Sequence, residues 1–256
     1  MNLLSLTYFL LYNPNGFLRK FGNKVQFLSK SNKLSFDKNI TNEYKSKSIN
    51  QKEYKKSLEN QNIDLLICNG PAGSGKTLFA CQHAIKSLQN NLIKKIIITR
   101  PAICVEEDIG FLPGDINQKM HPFIIPIFDI FEEYYTKKDI NLLINENIIE
   151  IAPLAFMQGR TFKNSIIIAD EMQNSTPNQM FMLLTRLGVK SKMIITGDLM
   201  QTNNKNNGLN DIIMKLNNNY YEKDIMNNDG IDIINLDSND IQRSKIVNII
   251  TDIYIK

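Results

Sequence analysis

Gly70-Pro71-Ala72-Gly73-Ser74-Gly75-Lys76-Thr77 decides how this chain is read. The octet fits G-x-x-x-x-G-K-[ST], and its flanks give the pattern physical meaning. Upstream, residues 63–68 form an apolar run that reads as a buried strand. Downstream, Leu78, Phe79, Ala80, Ala84, Ile85 and Leu88 recur at helical spacing. A strand, a glycine-rich turn and a helix gather backbone N–H groups and a helix N-terminus around one anion. Lys76 is placed to reach the β- and γ-phosphates of a nucleotide, and the Thr77 hydroxyl to hold Mg2+. All eight residues, Gly70, Pro71, Ala72, Gly73, Ser74, Gly75, Lys76 and Thr77, are the expected nucleotide-binding set.

A second stretch, Ser165-Ile166-Ile167-Ile168-Ala169-Asp170-Glu171, is an apolar strand ending in two acids. Strands of parallel sheets are buried on both faces and read as continuous apolar runs, and ligands bind beyond their carboxyl ends. Asp170 is therefore expected to bind Mg2+, directly or through water, and Glu171 to orient or deprotonate an attacking water. The alternative is an N-cap pair for the next helix. A third stretch, Lys192 to Gln201, repeats the pattern and ends Thr196-Gly197-Asp198-Leu199-Met200-Gln201. Gln201 is placed to hydrogen-bond a γ-phosphate or the attacking water; Asp198 either takes part in catalysis or caps a turn.

The other apolar runs alternate with helical ones. Strands are expected at 95–100, 148–152 and 231–236. Helices are expected over 46–62, over 116–135 and 137–145 with interruptions at Pro122 and Pro126, from Pro177 to a stop at Gly188, and beyond a cap near Asp240. Such alternation predicts an α/β fold, a doubly wound and mostly parallel sheet. With 256 residues, one such domain has a full core. The asparagine runs 203–207 and 217–219 read as surface loops.

Net charge is +4, but residues 1–45 carry seven Lys/Arg and two acids, so the rest is close to neutral and gives no basic core for nucleic acid. Residues 3–11 are apolar but too short to span a bilayer, and acid-poor basic sequence follows as far as Asp37. Residues 1–45 therefore read as a leader for a plastid-type organelle such as an apicoplast, or for a mitochondrion; the alternative is a disordered extension on a cytoplasmic protein. No membrane span is expected in the mature protein. Cys68, Cys81 and Cys104 lack paired spacing, and Cys68 and Cys81 read as packed thiols; His83 and His121 stand alone.

Taken together, the chain resembles the PhoH family of P-loop ATPases, with a RecA-like core akin to the first motor domain of superfamily 1 helicases. The resemblance rests on 70–77, Thr99-Arg100-Pro101-Ala102, 110–115, 152–161, Asp170-Glu171-Met172-Gln173-Asn174, Thr185-Arg186 and 196–201, and covers about residues 46–256. It implies Mg2+-dependent ATP hydrolysis linked to RNA. It further implies that Gln51 reads adenine, that Gln173 and Gln201 couple the γ-phosphate to a bound partner, and that Arg243 approaches phosphate, across a ring interface if the chain forms a homo-oligomer such as a hexamer. Arg243 otherwise reads as a solvated first-turn side chain, and Arg100 and Arg160 as either nucleic-acid or phosphate contacts or structural ion pairs. After Gln201 the sequence departs from the family, with Thr202-Asn203-Asn204-Lys205-Asn206-Asn207 where a basic, proline-containing stretch is usual. No PIN-type nuclease domain is expected ahead of the ATPase. The alternatives are a nucleotide-switched accessory factor with little turnover, and a small-substrate kinase for which no acceptor motif is visible.

Overall fold

A computed structural model describes residues 16–21, 24–29, 43–101, 116–202 and 206–242, with helical backbone at residues 246 and 253. Ala102, Cys104, the turn-rich 110–115, Arg243 and most of the last expected helix lie outside the described residues, as does the side chain of His121.

The chain divides into two units, residues 1–41 and 42–256. In the first, β1 (Gly16–Phe21) and β2 (Lys24–Ser29) pair antiparallel, Gly16 opposite Ser29 and Phe21 opposite Lys24. The second unit begins before residue 46: the Glu43 carboxylate meets Lys55 and Lys86 at 2.6 Å each, and Tyr44 donates to Glu133. Composition put these residues in the leader because it sees charge bias and not the salt bridges that tie them to the core. No helix among the described residues is long and apolar enough to cross a membrane.

Six strands form the central sheet: β3 (Leu65–Asn69), β4 (Lys95–Thr99), β5 (Ile149–Ile151), β6 (Ser165–Ala169), β7 (Lys192–Gly197) and β8 (Ile231–Asn235). Their order is β5-β4-β6-β7-β3-β8, and every pairing is parallel. Ile96–Ile98, Ile166–Ile168 and Met193–Ile195 are buried throughout, as β-branched and apolar residues covered on both faces should be.

One face carries α1 (Ile49–Glu59) and α2 (Lys76–Gln89), with α3 (Ile116–Glu132) and α4 (Lys137–Asn145) beyond them. The opposite face packs Leu65, Ile67, Ile167, Met193 and Ile195 against Met180, Leu183, Leu209 and Leu216. Those partners belong to α5 (Pro177–Leu184) and α6 (Gly208–Asn219); α7 (Lys223–Asn228) precedes β8. This is the doubly wound α/β fold expected from the alternation of runs.

Three local expectations are corrected. The helix α3 runs unbroken through Pro122 and Pro126. The prolines are four apart, so their missing donors fall on one helix face, Pro126 is exposed, and the buried Ile124, Ile127 and Phe131 hold the helix in the core. The helix from Pro177 ends at Leu184, because residues 185–188 turn to let Leu187 bridge Phe162. Gly188 is there a close-approach residue: a Cβ on it would collide with the Phe162 carbonyl. Asn217–Asn219 form the last turn of α6 and not a loop; the buried Leu209 and Leu216 outweigh the poor helix propensity of Asn.

Candidate nucleotide site

The phosphate loop follows β3 and ends at the α2 N-terminus. Gly75 is its N-cap with φ +95°, and Gly73 has φ +82°. Both lie in the left-handed region, where a Cβ is strained. A Cβ on Gly75 would also sit 2.9 Å from the Phe79 ring. Ser74 Oγ donates to the Pro71 carbonyl at 2.7 Å, closing the loop on itself. Lys76 Nζ donates to the carbonyls of Gly70 (2.6 Å) and Pro71 (2.8 Å), so the ammonium lies within the loop. Among the described residues it has no carboxylate partner. A buried cation held by dipoles alone suits an incoming anion.

Gln51 is almost fully buried at the third position of α1, where it completes a capping box with Ser48. Its amide nitrogen donates to the carbonyls of Ser74 (3.0 Å) and Asp240 (2.9 Å), and its oxygen accepts from the N–H of Lys47 (2.8 Å). This carboxamide joins α1, the phosphate loop and the turn Ser238–Asp240. To read adenine, as the resemblance implies, it would have to exchange one of these bonds. The Gln242 N–H also donates to the Gly73 carbonyl at 3.0 Å, so the chain touches the phosphate loop one residue before Arg243.

Asp170 follows β6 and is 5% exposed. Its Oδ1 accepts from Thr77 Oγ1 at 2.8 Å and from Thr196 Oγ1 at 2.5 Å. No lysine or arginine pairs with it among the described residues. A buried carboxylate with two hydroxyl donors and no cation is the donor set a hard divalent ion completes, so Thr77 and Asp170 fit Mg2+.

Glu171 has φ 56°, an unusual backbone for a side chain with a Cβ, and makes no capping hydrogen bond to the turn Met172–Asn174. Its carboxylate instead faces Arg100 Nη2 at 3.4 Å and accepts from Gln173 Nε2 at 2.5 Å. Gln173 Oε1 accepts the Asp198 N–H at 3.1 Å, which fixes the orientation of the amide. Gln173 thus ties the β6 and β7 ends together in this structure, whereas the resemblance alone implied γ-phosphate coupling.

Asp198 Oδ1 accepts the Met200 N–H at 2.9 Å and caps the turn Leu199–Gln201. Gln201 is exposed on that turn, at the carboxyl edge of the sheet. Arg160 is a structural ion pair, bound to Glu150 at 2.5 Å and stacked 4.7 Å over Phe162. The structure therefore brings together Lys76, Thr77, Asp170, Glu171 and Gln51. The residue the motifs undersold is Thr196, a polar side chain closing an apolar strand, whose partner no spacing rule names.

A phosphate loop whose threonine is hydrogen-bonded to a carboxylate on a strand two places away in a parallel sheet defines a P-loop NTPase. The pattern of the family described as PhoH-like protein matches residues 43–255, and the chain belongs to the PhoH family. A PhoH-like protein of Bacillus subtilis is 40% identical over 240 residues, covering 90% of this chain and 72% of the relative. A PhoH-like protein of Synechocystis sp. is 47% identical over 158 residues, 62% of this chain and 48% of that one, so the chain matches about half of the cyanobacterial relative. A crystal structure of the helicase MrfA bound to DNA overlaps at a TM-score of 0.43 and 12% identity, over 94% of this chain and 35% of that one.

Proposed function

We propose that this chain is a Mg2+-dependent ATPase, converting ATP and water to ADP and phosphate, and that it works on or near RNA. The observation that carries the reading is the Thr77–Asp170 hydrogen bond, which joins the phosphate loop to the acidic strand end across 93 positions of sequence.

In this reading the loop N–H groups and Lys76 bind the β- and γ-phosphates. Mg2+, held by Thr77 and Asp170, would neutralise phosphate charge. Glu171 accepts a proton from the attacking water; the water oxygen bonds to the γ-phosphorus as the bond to the β–γ bridging oxygen breaks, and ADP leaves with that electron pair. Gln201 stands at the same edge to sense the γ-phosphate. Family resemblance supports the RNA link, a homo-oligomer with Arg243 supplied by a neighbour, and adenine recognition by Gln51. The composition of residues 1–45 supports an organellar destination.

The test is phosphate release by the full chain with ATP and Mg2+, with and without total RNA, beside Glu171→Gln. RNA-stimulated turnover lost in the variant supports the whole reading. Turnover indifferent to RNA keeps the ATPase and removes the RNA link. A second reading, a nucleotide-switched accessory factor, is favoured by the engagement of Glu171 by Arg100 and Gln173. It stands if ATP binds, Lys76→Ala abolishes binding, and phosphate release is negligible and unchanged in Glu171→Gln.

A further inference from the structure

Resting on the Mg2+–ATP reading above, the geometry points to Thr196 as the residue that positions Asp170 for the cation. The strand order makes this possible. The strand β7 lies between β3, which leads into the phosphate loop, and β6, which leads into Asp170. Register then sets the height: Ala169 pairs with Ile195, and Cys68 with Thr196. One residue further along, Asp170 and Thr196 stand side by side at the carboxyl edge.

Thr196 is fully buried, and its hydroxyl donates to the same carboxylate oxygen that Thr77 uses. A hydroxyl has one proton and two lone pairs. With its proton on Asp170 Oδ1, Thr77 turns its lone pairs away from the carboxylate, the arrangement a threonine needs to ligate a cation while still bonded to Asp170. Thr77 belongs to the ligand-binding helix, so its position answers to whatever the loop holds. Thr196 does not: it sits inside a strand paired on both sides, and its β-branched side chain has a restricted χ1. Thr196 is therefore the anchor that keeps Asp170 aimed at the cation in every nucleotide state. The charge of Asp170 is buried, and no ion pair among the described residues fixes its direction in place of this bond. Outer partners of metal-binding side chains commonly contribute about 10–100-fold in metal affinity.

The experiment is a titration of Mn2+ onto the ADP-loaded full chain, followed by electron paramagnetic resonance, for wild type, Thr196→Val and Thr196→Ser. ADP binding in EDTA is measured alongside. The expected result is a loss of Mn2+ affinity of about 10–100-fold in Thr196→Val, near-wild-type affinity in Thr196→Ser, and unchanged metal-free ADP binding in both. Thr196→Ala, which places no extra methyl against the carboxylate, takes the place of Thr196→Val if that variant does not fold. Equal Mn2+ affinity in wild type and the hydroxyl-free variant overturns the role of Thr196 and leaves the ATPase reading intact. Parallel loss of metal-free ADP binding also overturns it, making Thr196 a packing residue. A wild-type chain that takes up no ADP overturns the ATPase reading and the role of Thr196 with it.

Discussion

Arg100 Nη2 lies 3.4 Å from Glu171 Oε1, so the guanidinium after β4 faces the carboxylate after β6. The two strands are neighbours, and Thr99 pairs with Ala169, one residue before Arg100 and two before Glu171. Both side chains are partly exposed, at 18% and 29%, which leaves the pair in reach of ligands at the sheet edge.

Glu171→Gln should lower phosphate release by about 10²–10⁴-fold, the usual contribution of a general base, with ATP affinity retained. Single-turnover kinetics beside equilibrium nucleotide binding would check it. If Arg100 acts through Glu171, the double variant Arg100→Gln/Glu171→Gln should be no slower than Glu171→Gln alone. A further additive loss would show that Arg100 acts on the substrate independently.

Gln51→Leu should destabilise the fold by about 2–4 kcal/mol, because it leaves the buried carbonyls of Ser74 and Asp240 without their donor. Urea denaturation measures this. Adenine reading by Gln51 instead predicts near-wild-type stability and a narrowed preference for ATP over GTP.

Gly75→Ala should weaken nucleotide binding and cost about 1–2 kcal/mol of stability from the left-handed backbone alone, before the close approach to Phe79 is counted. Parallel melts and ADP titrations would test it. Wild-type behaviour in both would mean the loop does not hold this conformation.

Acid should destabilise the protein through His83. Burial, with smaller contributions from the charges of Lys192 and Lys86, pushes its imidazole down to about 4. Unfolded histidine takes up a proton near 6.5. Between those values the unfolded chain binds more protons, so stability present above about pH 6.5 is lost as pH falls through about 4. The loss is up to about 3 kcal/mol. His83→Gln should flatten that limb of a stability–pH curve; an unchanged limb would assign it to other groups.

Much of the site was legible in contiguous sequence, and the reason is local. The phosphate loop is one strand, one turn and the first residues of one helix. Its left-handed glycines at 73 and 75 and its lysine and threonine are set by neighbours a few positions away. The isoleucine runs ending in Asp170 and Thr196 likewise announced buried parallel strands. Asp198 was ambiguous because an acid after a strand serves catalysis or a turn equally well, and only the bond to the Met200 N–H assigns it to the turn. The prolines of α3 misled because the rule for an isolated helix omits tertiary packing, here the burial of Ile124, Ile127 and Phe131.

The sequence by itself determined the α/β class, the phosphate loop and the two acids at a strand end. These follow from short-range backbone preference and from hydrophobic periodicity. Only the tertiary structure decided that β7 lies between β3 and β6, that Thr196 therefore meets Asp170, and that Gln51 locks onto a carbonyl 189 positions away. Strand order and long-range hydrogen bonds are set by how the whole core closes, and no window of neighbouring residues contains that information.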